Sequence, residues 1–472
     1  MRVAWMTALV CLSVRSGLCG ENWSQFRGGR SDGVVRNSGI PTEWSEDRNI
    51  AWKIEIPGMG WSQPVIWGDR VFLTTAVAGD GAKTTKIDWS PGVPNLGLRM
   101  LTKGLGLDSA PKEGGGGTAV ASRSVDMPPP DIPCRYMVMC LDLATGKPLW
   151  ERTARESKPP IHIHPSNSYA TETPATDGER LVVSFGPAGL YCFDLNGEPL
   201  WSKDLGSYPM QFGWGSGSSP VLHGGRVFVQ YDNEAESFLV ALDAKTSDEL
   251  WRVKREEQSN WSTPYLWTNS LRAELVTAGG TKMRSYDPQT GTLLWEMDAS
   301  GRTSITPVGN DDLLYVDSYD RMMGRTGIFA AIRPGATGDI SLGGKSTSND
   351  GVAWSVKLSG YRVASPVLCA DCLYVFEQQG GIVHCFDAKT GKKHYRQRLA
   401  ESGGCTASPW VSDGKVFSLD TNGLTVVFEA GPTMKVVGSN KLDDLFWSSV
   451  AAADGRLLLR GVKSLYCAQG RR

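Results

Sequence analysis

The chain repeats one short stretch, which reads CLDLATGKPLW at Cys140–Trp150. In most copies an acid precedes an aromatic residue by eight positions, as Asp142 precedes Trp150. Further copies end at Trp201, Trp251, Trp295, Trp354, Tyr395 and Val437. Self-similarity of this kind indicates a repeat architecture in which each copy is one supersecondary unit.

A second element precedes each copy. A hydroxyl residue and a proline, or a similar pair, open a short β-rich run, a tight turn and another run. The eight openings lie at Pro64, Pro174, Pro220, Pro264, Pro307, Pro366, Pro409 and Ser449-Val450. Turns such as Asp177-Gly178 and Asp413-Gly414 suit the positive φ of tight hairpins. Each repeat therefore predicts four antiparallel strands, which we call A to D in chain order, with the aromatic residue on strand D.

The eight openings are followed by only seven D strands, and the missing one is predicted at Asn49–Ile56, where Trp52 has the D-strand pattern. We therefore predict an all-β fold, an eight-bladed β-propeller of four-stranded antiparallel blades. Its ring closes when the N-terminal outer strand pairs with the C-terminal hairpin, which removes the sheet edges that an open array would expose. The propeller is predicted at residues 49–470, after an N-terminal extension at 21–48.

The N-terminal residues predict export. Arg2 is followed by the mostly apolar stretch Val3–Val14, and Gly17–Gly20 precedes the polar Glu21. This pattern is typical of a secretory signal peptide at 1–20, too short to span a bilayer, and an ordinary N-terminal strand is the alternative. The mature protein is expected in the periplasm or outside the cell. No later segment is apolar enough to be predicted as a membrane span.

Composition excludes several classes of protein. The 49 Lys and Arg residues nearly balance the 50 Asp and Glu residues, which gives a net charge of −1. No basic face is implied, and this argues against nucleic acid as a partner. With 40% hydrophobic residues and 55 glycines, the chain is predicted to be a turn-rich globular protein with a large core. We expect a monomer.

The run Ala/Cys-x-Asp-x-x-Thr-Gly-x-x-x-Trp resembles the tryptophan-docking motif of the quinoprotein alcohol dehydrogenase-like propellers, also called pyrroloquinoline quinone (PQQ)-like repeat proteins. The segments Trp23–Gly28, Ile56–Pro64 and Thr171–Gly178 resemble an exported PQQ-binding-like β-propeller subfamily. The outer-membrane assembly lipoprotein BamB is similar in architecture. The resemblance covers nearly all of the predicted mature chain, and it is specific for the fold but much less so for an activity.

The D-strand tryptophans need no cofactor to explain them. A tryptophan ring can lie on the Thr-Gly turn of a neighbouring blade and bury roughly 150 to 250 Å². A structural docking role between blades is therefore predicted for Trp52, Trp150, Trp201, Trp251, Trp295 and Trp354. Tyr395 and Val437 break the pattern, so the sixth and seventh blades are predicted to be joined least firmly.

Four cysteines occupy one repeat position on strand C, namely Cys140, Cys192, Cys385 and Cys467. Equivalent positions in different blades lie too far apart for a disulfide, which needs Cα atoms within about 7 Å, so buried free thiols are predicted. Cys369 and Cys372 flank a predicted A-to-B turn, and a bond between them stays open. Haem attachment is excluded there because Leu373 follows the pair.

In this fold the B-to-C and D-to-A connections emerge on one face, which we call the D-to-A face. The insertion at 77–133, between strands B and C of the first blade, is rich in Gly, Pro and Lys and is predicted to be a flexible or partner-ordered flap on that face. Ligand or partner contacts are predicted at His162, His164, Trp214, Trp261, Arg302, Tyr319, Arg321 and Arg362. This aromatic and basic rim suits a small anionic or planar ligand, and simple packing around the channel is the alternative. No metal is predicted, because the two histidines have no evident third ligand.

Two functions follow as alternatives. The preferred one is an exported, non-catalytic binding or scaffold propeller that holds a protein, peptide or glycan on the D-to-A face. The other, implied by the resemblance, is a PQQ- and calcium-dependent alcohol or sugar dehydrogenase. Such enzymes typically stack the cofactor between a tryptophan and a ring of adjacent cysteines, and this chain has no Cys-Cys pair. No acidic set for calcium or for a catalytic base is evident, so neither a cofactor nor a catalytic residue is predicted.

Overall fold

The computed structural model describes residues 21–36, 39–79, 129–164, 166–299, 301–320 and 325–470. The predicted signal peptide, Arg321 and most of the 77–133 insertion lie outside the described residues. The described chain forms eight sheets, each built on four antiparallel strands, and two of them carry a fifth strand. The prediction of an all-β, eight-bladed propeller with four-stranded blades is confirmed.

The strands are numbered in chain order. The N-terminal strands are β1 (Val34–Val35) and β2 (Ile50–Glu55). Blade 1 contains β3 (Val65–Trp67), β4 (Arg70–Ala78), β5 (Cys134–Asp142) and β6 (Pro148–Ser157). Blade 2 contains β7 (Ala175–Thr176), β8 (Arg180–Ser184), β9 (Leu190–Asp194) and β10 (Pro199–Lys203). Blade 3 contains β11 (Val221–His223), β12 (Arg226–Tyr231), β13 (Ser237–Asp243) and β14 (Glu249–Arg255).

Blade 4 contains β15 (Tyr265–Thr268), β16 (Ala273–Thr277), β17 (Lys282–Tyr286) and β18 (Leu293–Asp298). Blade 5 contains β19 (Val308–Gly309), β20 (Leu314–Asp320), β21 (Arg325–Ile332) and, after the short β22 (Gly338–Asp339), β23 (Val352–Leu358). Blade 6 contains β24 (Val367–Cys369), β25 (Cys372–Phe376), β26 (Ile382–Asp387) and β27 (Lys393–Arg398). Blade 7 contains β28 (Trp410–Ser412), β29 (Lys415–Leu419), β30 (Leu424–Glu429) and β31 (Lys435–Lys441). The last strands are β32 (Ala451–Ala453), β33 (Arg456–Arg460) and β34 (Ser464–Gln469).

Blade 8 is completed by the N-terminal part of the chain. Its sheet has the order β2-β34-β33-β32, with β2 outermost. Strand β2 pairs antiparallel with β34, and Trp52 lies opposite Cys467. One ladder of backbone hydrogen bonds therefore holds the two ends of the propeller together.

A small residue lies opposite the aromatic residue of strand D in seven blades. The pairs are Cys140–Trp150, Cys192–Trp201, Ala241–Trp251, Ser285–Trp295, Ala331–Trp354, Cys385–Tyr395 and Cys467–Trp52. The bulk of the ring explains why this repeat position takes Cys, Ala or Ser. All eight cysteines in the described residues are buried free thiols, including Cys369 and Cys372, which are cross-strand partners without a bond between them.

Most of the D-strand tryptophans reach the next blade. The indole Nε1 donates to a carbonyl of the neighbouring C-to-D turn in five cases: Trp52 to Leu143 (3.0 Å), Trp150 to Leu195 (3.0 Å), Trp201 to Ala244 (3.0 Å), Trp251 to Pro288 (3.3 Å) and Trp354 to Ala388 (3.0 Å). Trp295 differs, because its Nε1 donates to Glu274 of its own blade at 2.8 Å. The C-to-D connection of blade 5 is a long excursion whose β22 pairs in parallel with β18, so a tight turn is not available there.

The acid of the repeat explains the tight C-to-D turn. The carboxylate of Asp142 accepts the backbone N–H of Thr145 at 2.8 Å and its hydroxyl at 2.6 Å. An aspartate that accepts N–H groups a few residues ahead closes a turn of its own backbone. Gly146 follows with a φ of 70°, a left-handed conformation that glycine adopts without steric cost.

The core lies between neighbouring sheets. One cluster joins Phe72 and Tyr136 of blade 1 to Phe185 of blade 2.

The N-terminal extension adds Trp44, which is buried, and its backbone N–H donates to Asn440 in the outer strand of blade 7 at 2.7 Å. The extension thus packs on blade 7, whose strand D has Val437 in place of the aromatic residue of the repeat. The only helices among the described residues are two three-residue 3-10 turns, and no helix there is long and apolar enough to cross a membrane.

Candidate binding face and interblade cavity

A ring of hydroxyl groups joins the blades around the central channel. We call it the hydroxyl ring, and it consists of Thr173, Ser219, Thr263, Thr306, Ser365, Ser408 and Ser449, the residues that precede strand A in blades 2 to 8. Each hydroxyl oxygen accepts the backbone N–H of the equivalent residue in the preceding blade, at 3.0 to 3.2 Å. In blade 1 the equivalent residue is Gln63. The hydroxyl-proline openings therefore fix the ends of the D-to-A connections.

The N-terminal extension contacts the inner strands from the side of the A-to-B turns, on the face opposite the D-to-A face. Asn22 accepts the N–H of Gly68 in the A-to-B turn of blade 1 at 2.8 Å. The next residues contact strand A of several blades: Trp23 pairs with Ile66, Ser24 accepts from Thr176, Gln25 accepts from Leu222, and β1 pairs in parallel with β28. One short segment thus bonds to blades 1, 2, 3 and 7.

Two pairs of tryptophans lie in the D-to-A connections. Trp214 and Trp261, which precede blades 3 and 4, have ring centroids 5.4 Å apart. Trp61 and Trp447, which precede blades 1 and 8, stack with centroids 5.9 Å apart and planes 23° apart. Phe212 joins the first pair, 6.1 Å from Trp214, and its backbone has a φ of 50°. This left-handed conformation is uncommon outside glycine and holds the aromatic ring beside its neighbours.

His164 contacts the first tryptophan pair. Its ring centroid is 6.3 Å from that of Trp214, and its Nδ1 lies 2.7 Å from the Ser166 hydroxyl. Burial lowers the pKa of His164 to about 4, and the neighbouring His162 adds to this effect. Burial also lowers the pKa of His162. His164 is therefore neutral at physiological pH and acts as a packing and hydrogen-bonding group, and the lowered pKa of His162 likewise favours its neutral form.

Both described arginines of the predicted rim are paired with acids. Arg302 lies 2.7 Å from the carboxylate of Glu234. Arg362 makes a fully buried ion pair with Asp317 through two hydrogen bonds of 2.6 and 2.8 Å. A carboxylate of the protein therefore neutralises each guanidinium charge. Less cationic surface is left for an anionic ligand than the sequence predicts.

The structure brings three of the predicted contact residues together, namely His164, Trp214 and Trp261. Arg302 lies in the next D-to-A connection, between blades 4 and 5, and Arg362 is buried. Tyr319 is described only as part of β20, and Arg321 lies outside the described residues.

A small cleft that opens to solvent lies between blades 2 and 3, and its lining is partly polar and partly apolar. Four buried polar atoms that line it have no hydrogen-bond partner among the described residues: Glu172 Oε1, Ser218 Oγ, Gln230 Oε1 and Asn260 Nδ2. Glu172 is 2% exposed, and burial raises its pKa to about 7. Because buried polar groups nearly always have partners, this cluster marks a place for a polar ligand or for water.

Reasoning from the sequence gave Glu172 no role, although the repeat contains a signal. Two positions before the proline, the blades have Ser62, Glu172, Ser218, Ser262, Ile305, Ala364, Ala407 and Ser448. Glu172 is the single charged residue in a position that is otherwise small or apolar. An alignment of the repeats would therefore have pointed to it.

Comparison with known proteins agrees with the repeat and the eight sheets. The family model described as outer membrane protein assembly factor BamB matches residues 135–273 and 343–434. The match covers just under half of the chain, which in its repeat and its eight sheets is similar to the BamB-like PQQ-repeat propellers. The outer membrane protein assembly factor BamB of Moranella endobia (strain PCIT) is 23% identical to this propeller in an alignment of 251 positions that covers 48% of this chain and 58% of that relative. The match thus spans little more than half of the relative's length.

Two solved structures are similar to this BamB-like propeller. BamB from Moraxella catarrhalis has a TM-score of 0.51 and 15% identity, covering 71% of this chain and 89% of that chain. The quinohemoprotein alcohol dehydrogenase from Comamonas testosteroni has a TM-score of 0.57 and 10% identity, covering 96% of this chain and 81% of that chain. At such identities the likeness shows the fold alone.

The cavity does not fit the PQQ and calcium that the wider family implies. Calcium takes roughly six to eight oxygen ligands, carboxylates prominent among them. Glu172 offers a carboxylate, but Asp232, the other acid lining the cavity, is held by Arg255 at 2.7 and 3.0 Å. Within the described residues of this BamB-like propeller, no group of three His, Cys, Asp or Glu could hold a metal.

Proposed function

We propose that the protein is an exported, non-catalytic binding or scaffold propeller whose partner, a protein, peptide or glycan, docks on the D-to-A face. The observation that carries this proposal is the presence of two tryptophan pairs in the connections of that face, Trp61 with Trp447 and Trp214 with Trp261. Three of these rings are partly exposed. Tryptophan is enriched among the residues that dominate binding energy at interfaces, and loops on a rigid scaffold commonly carry such residues.

One tryptophan of each pair is held by a hydrogen bond before any partner arrives, which supports a binding role. Trp261 Nε1 donates to the carbonyl of Gly215 at 2.6 Å, and Trp61 Nε1 donates to that of Ser166 at 3.1 Å. A side chain that is already ordered loses little conformational entropy on binding. The rings therefore form a preorganised surface.

The long insertion of blade 1 is proposed to extend the same surface. Ala78, where β4 ends, pairs with Cys134, where β5 begins. Cys134 also pairs with Ser157, where the chain enters the first D-to-A connection. The two ends of the insertion therefore lie beside the connection that leads to His164.

Export is part of the proposal. The relatives are named as outer membrane protein assembly factors, which supports a site of action in the periplasm. Expression in a bacterial host should give a periplasmic protein whose N-terminus, read by sequencing, begins near Glu21. A cytoplasmic product that retains Met1 would contradict export.

Photo-crosslinking tests the proposed face. A benzophenone amino acid is placed at Gln258, which is exposed in the connection between blades 3 and 4, or at His223, which is exposed at the A-to-B turn of blade 3 on the opposite face. We expect a discrete adduct in the native cell envelope from position 258, absent from position 223 and lost when Trp214→Ala is added. Equal adducts from both positions, or none from position 258, would count against this face.

The alternative is a PQQ- and calcium-dependent dehydrogenase, which the donor set around Glu172 supports less well. Titration of the purified protein with PQQ and calcium, followed by quinone absorbance and dye-coupled alcohol oxidation, separates the two functions. Stoichiometric binding with turnover would replace the proposed binding role. We expect neither.

A further inference from the structure

Arg27 carries a positive charge into the central channel. The residue is 1% exposed. Its backbone N–H donates to Gln63 Oε1 of blade 1 at 2.7 Å, and its Nη2 donates to the carbonyl of Pro366 in blade 6 at 2.5 Å. Gln63 occupies the ring position of blade 1, and Pro366 follows the ring residue of blade 6. Arg27 therefore crosses the channel at the level of the hydroxyl ring.

This guanidinium has no counter-charge of its own. Its Nε and Nη1 are buried and have no hydrogen-bond partner among the described residues. The acid that faces it, Asp32, is bound to Arg36 at 2.5 Å, and Tyr265 faces it from blade 4. Burial lowers the pKa of Arg27 to about 10, although Asp32 and Tyr265 act in the opposite direction. A buried charge without a partner is costly, so a compensating group is expected in the channel.

The hydroxyl ring supplies further donors at the same level. Each of its oxygens accepts a backbone N–H, but none of the hydroxyls donates its own hydrogen to an acceptor in the described part of the chain. The ring residues are 0% to 8% exposed. A hydroxyl needs an acceptor for its hydrogen as well as a donor for its oxygen. A buried cation beside hydroxyl groups whose hydrogens have no acceptor is an environment that suits an anion.

We propose that the central channel binds a small halide ion, chloride in the cell, at Arg27 beside the hydroxyl ring. The ion accepts hydrogen bonds from the unpartnered guanidinium nitrogens and from ring hydroxyls, and it neutralises the buried charge. Water in the same place would satisfy the hydrogen bonds but would leave the charge uncompensated, which favours the halide. The ion and the N-terminal extension close the channel together.

Bromide scattering tests the site directly. Crystals of the mature protein grown in sodium bromide should show an anomalous peak in hydrogen-bond contact with Arg27 Nε or Nη1. A channel that contains only water at high bromide concentration would overturn the proposal. This measurement uses the unaltered protein, so it decides the matter even if the variants below do not fold.

Thermal unfolding provides the second test. At constant ionic strength, replacing the bulky anion gluconate by chloride should raise the Tm of the wild type, because a ligand that binds only the folded state stabilises it. Arg27→Met should lose this chloride-dependent shift. Arg30→Met, which removes an exposed arginine three residues away, should keep it. An equal chloride response in the wild type and in Arg27→Met would contradict an ion at Arg27.

Discussion

The indole of Trp251 in blade 3 lies directly on Gly291 of blade 4. A Cβ added to Gly291 would be 2.8 Å from Cε3 of the ring, closer than real Cβ atoms approach. The indole Nε1 also donates to the Pro288 carbonyl of the same turn at 3.3 Å. The contact therefore leaves no room for a side chain at Gly291, and it joins one blade to the next.

Trp251→Ala is expected to destabilise the propeller by roughly 2 to 4 kcal/mol, since truncating a well-packed tryptophan removes buried area and leaves a cavity. Urea denaturation and the Tm measure the loss. Leu250→Ala is the matched control, because Leu250 is the adjacent residue and is 44% exposed. It should change stability by about 0.5 kcal/mol or less. Equal effects of the two substitutions would show that Trp251 does not join the blades.

The number of blades and their four strands could be predicted because they rest on local rules. The acid of the motif closes its own turn, as Asp142 does with Thr145, and the glycine supplies the left-handed φ. The position opposite the tryptophan must be small, which explains Cys140 without any disulfide. Such rules act within about ten residues, so most copies display them even where one position of the motif differs.

Contacts between distant segments could not be predicted in the same way. The C-to-D excursion of blade 5 sends β22 to the outer strand of blade 4, and Trp295 then bonds to Glu274 of its own blade. Trp44 packs on blade 7 although nearly four hundred residues separate it from Asn440. Neither contact leaves a periodic signal in the sequence, because each occurs once.

The placement of the candidate residues could be predicted only in part. Aromatic residues in the D-to-A connections were singled out from topology, and Trp214 and Trp261 do lie together. Arg362 was expected on the rim, but Asp317 holds it in the interior, and a one-dimensional pattern does not reveal such pairing. Glu172 was overlooked because its burial depends on how blades 2 and 3 meet.

Glu172 makes stability depend on pH in a direction opposite to that of most carboxylates. The unfolded chain ionises this group near its usual pKa of 4.5, whereas the folded state keeps the proton up to about pH 7. Between these values the folded state binds more protons than the unfolded state, so stability falls as pH rises. The expected loss is on the order of 3 kcal/mol.

Glu172→Gln should remove this loss, because its side chain is neutral at every pH. Urea denaturation at pH 5 and pH 8 should show the variant gaining stability relative to the wild type at the higher pH. The control is Glu179→Gln, an exposed residue of the same blade. A wild type and a Glu172→Gln variant with parallel pH profiles would argue against a buried, protonated carboxyl.

His164 is expected to make the stability of the protein depend on pH in the acid range. Its pKa is about 4 in the folded state, below the usual 6.5 of the unfolded chain, because the imidazole is buried. The unfolded state therefore takes up a proton first as pH falls, and the wild type loses about 2 kcal/mol between pH 6.5 and pH 5. His164→Asn should flatten this part of the profile, with His394→Asn on strand β27 as the control. Chemical denaturation at the two pH values measures the difference, and an unchanged slope would refute it.

The two ion pairs of the predicted rim should differ greatly in their effect on stability. Arg362 and Asp317 have side chains that are 0% exposed, so Arg362→Met leaves a buried, unpaired carboxylate and is expected to cost about 3 to 5 kcal/mol. Arg302 and Glu234 are 16% and 23% exposed, and Arg302→Met should cost about 1 kcal/mol or less, because solvent screens the charge that remains.

Adding Asp317→Leu to Arg362→Met separates the cost of the orphaned charge from the loss of packing. The double variant should recover most of the stability that the single variant loses, because both charges are then absent from the interior. Urea denaturation of the wild type, the two single variants Arg362→Met and Asp317→Leu, and the double variant at neutral pH gives the coupling energy of the pair. A double variant as unstable as Arg362→Met would mean that the arginine stabilises blades 5 and 6 through its contacts with backbone carbonyls, such as that of Ser359 at 3.3 Å, and that Asp317 contributes little.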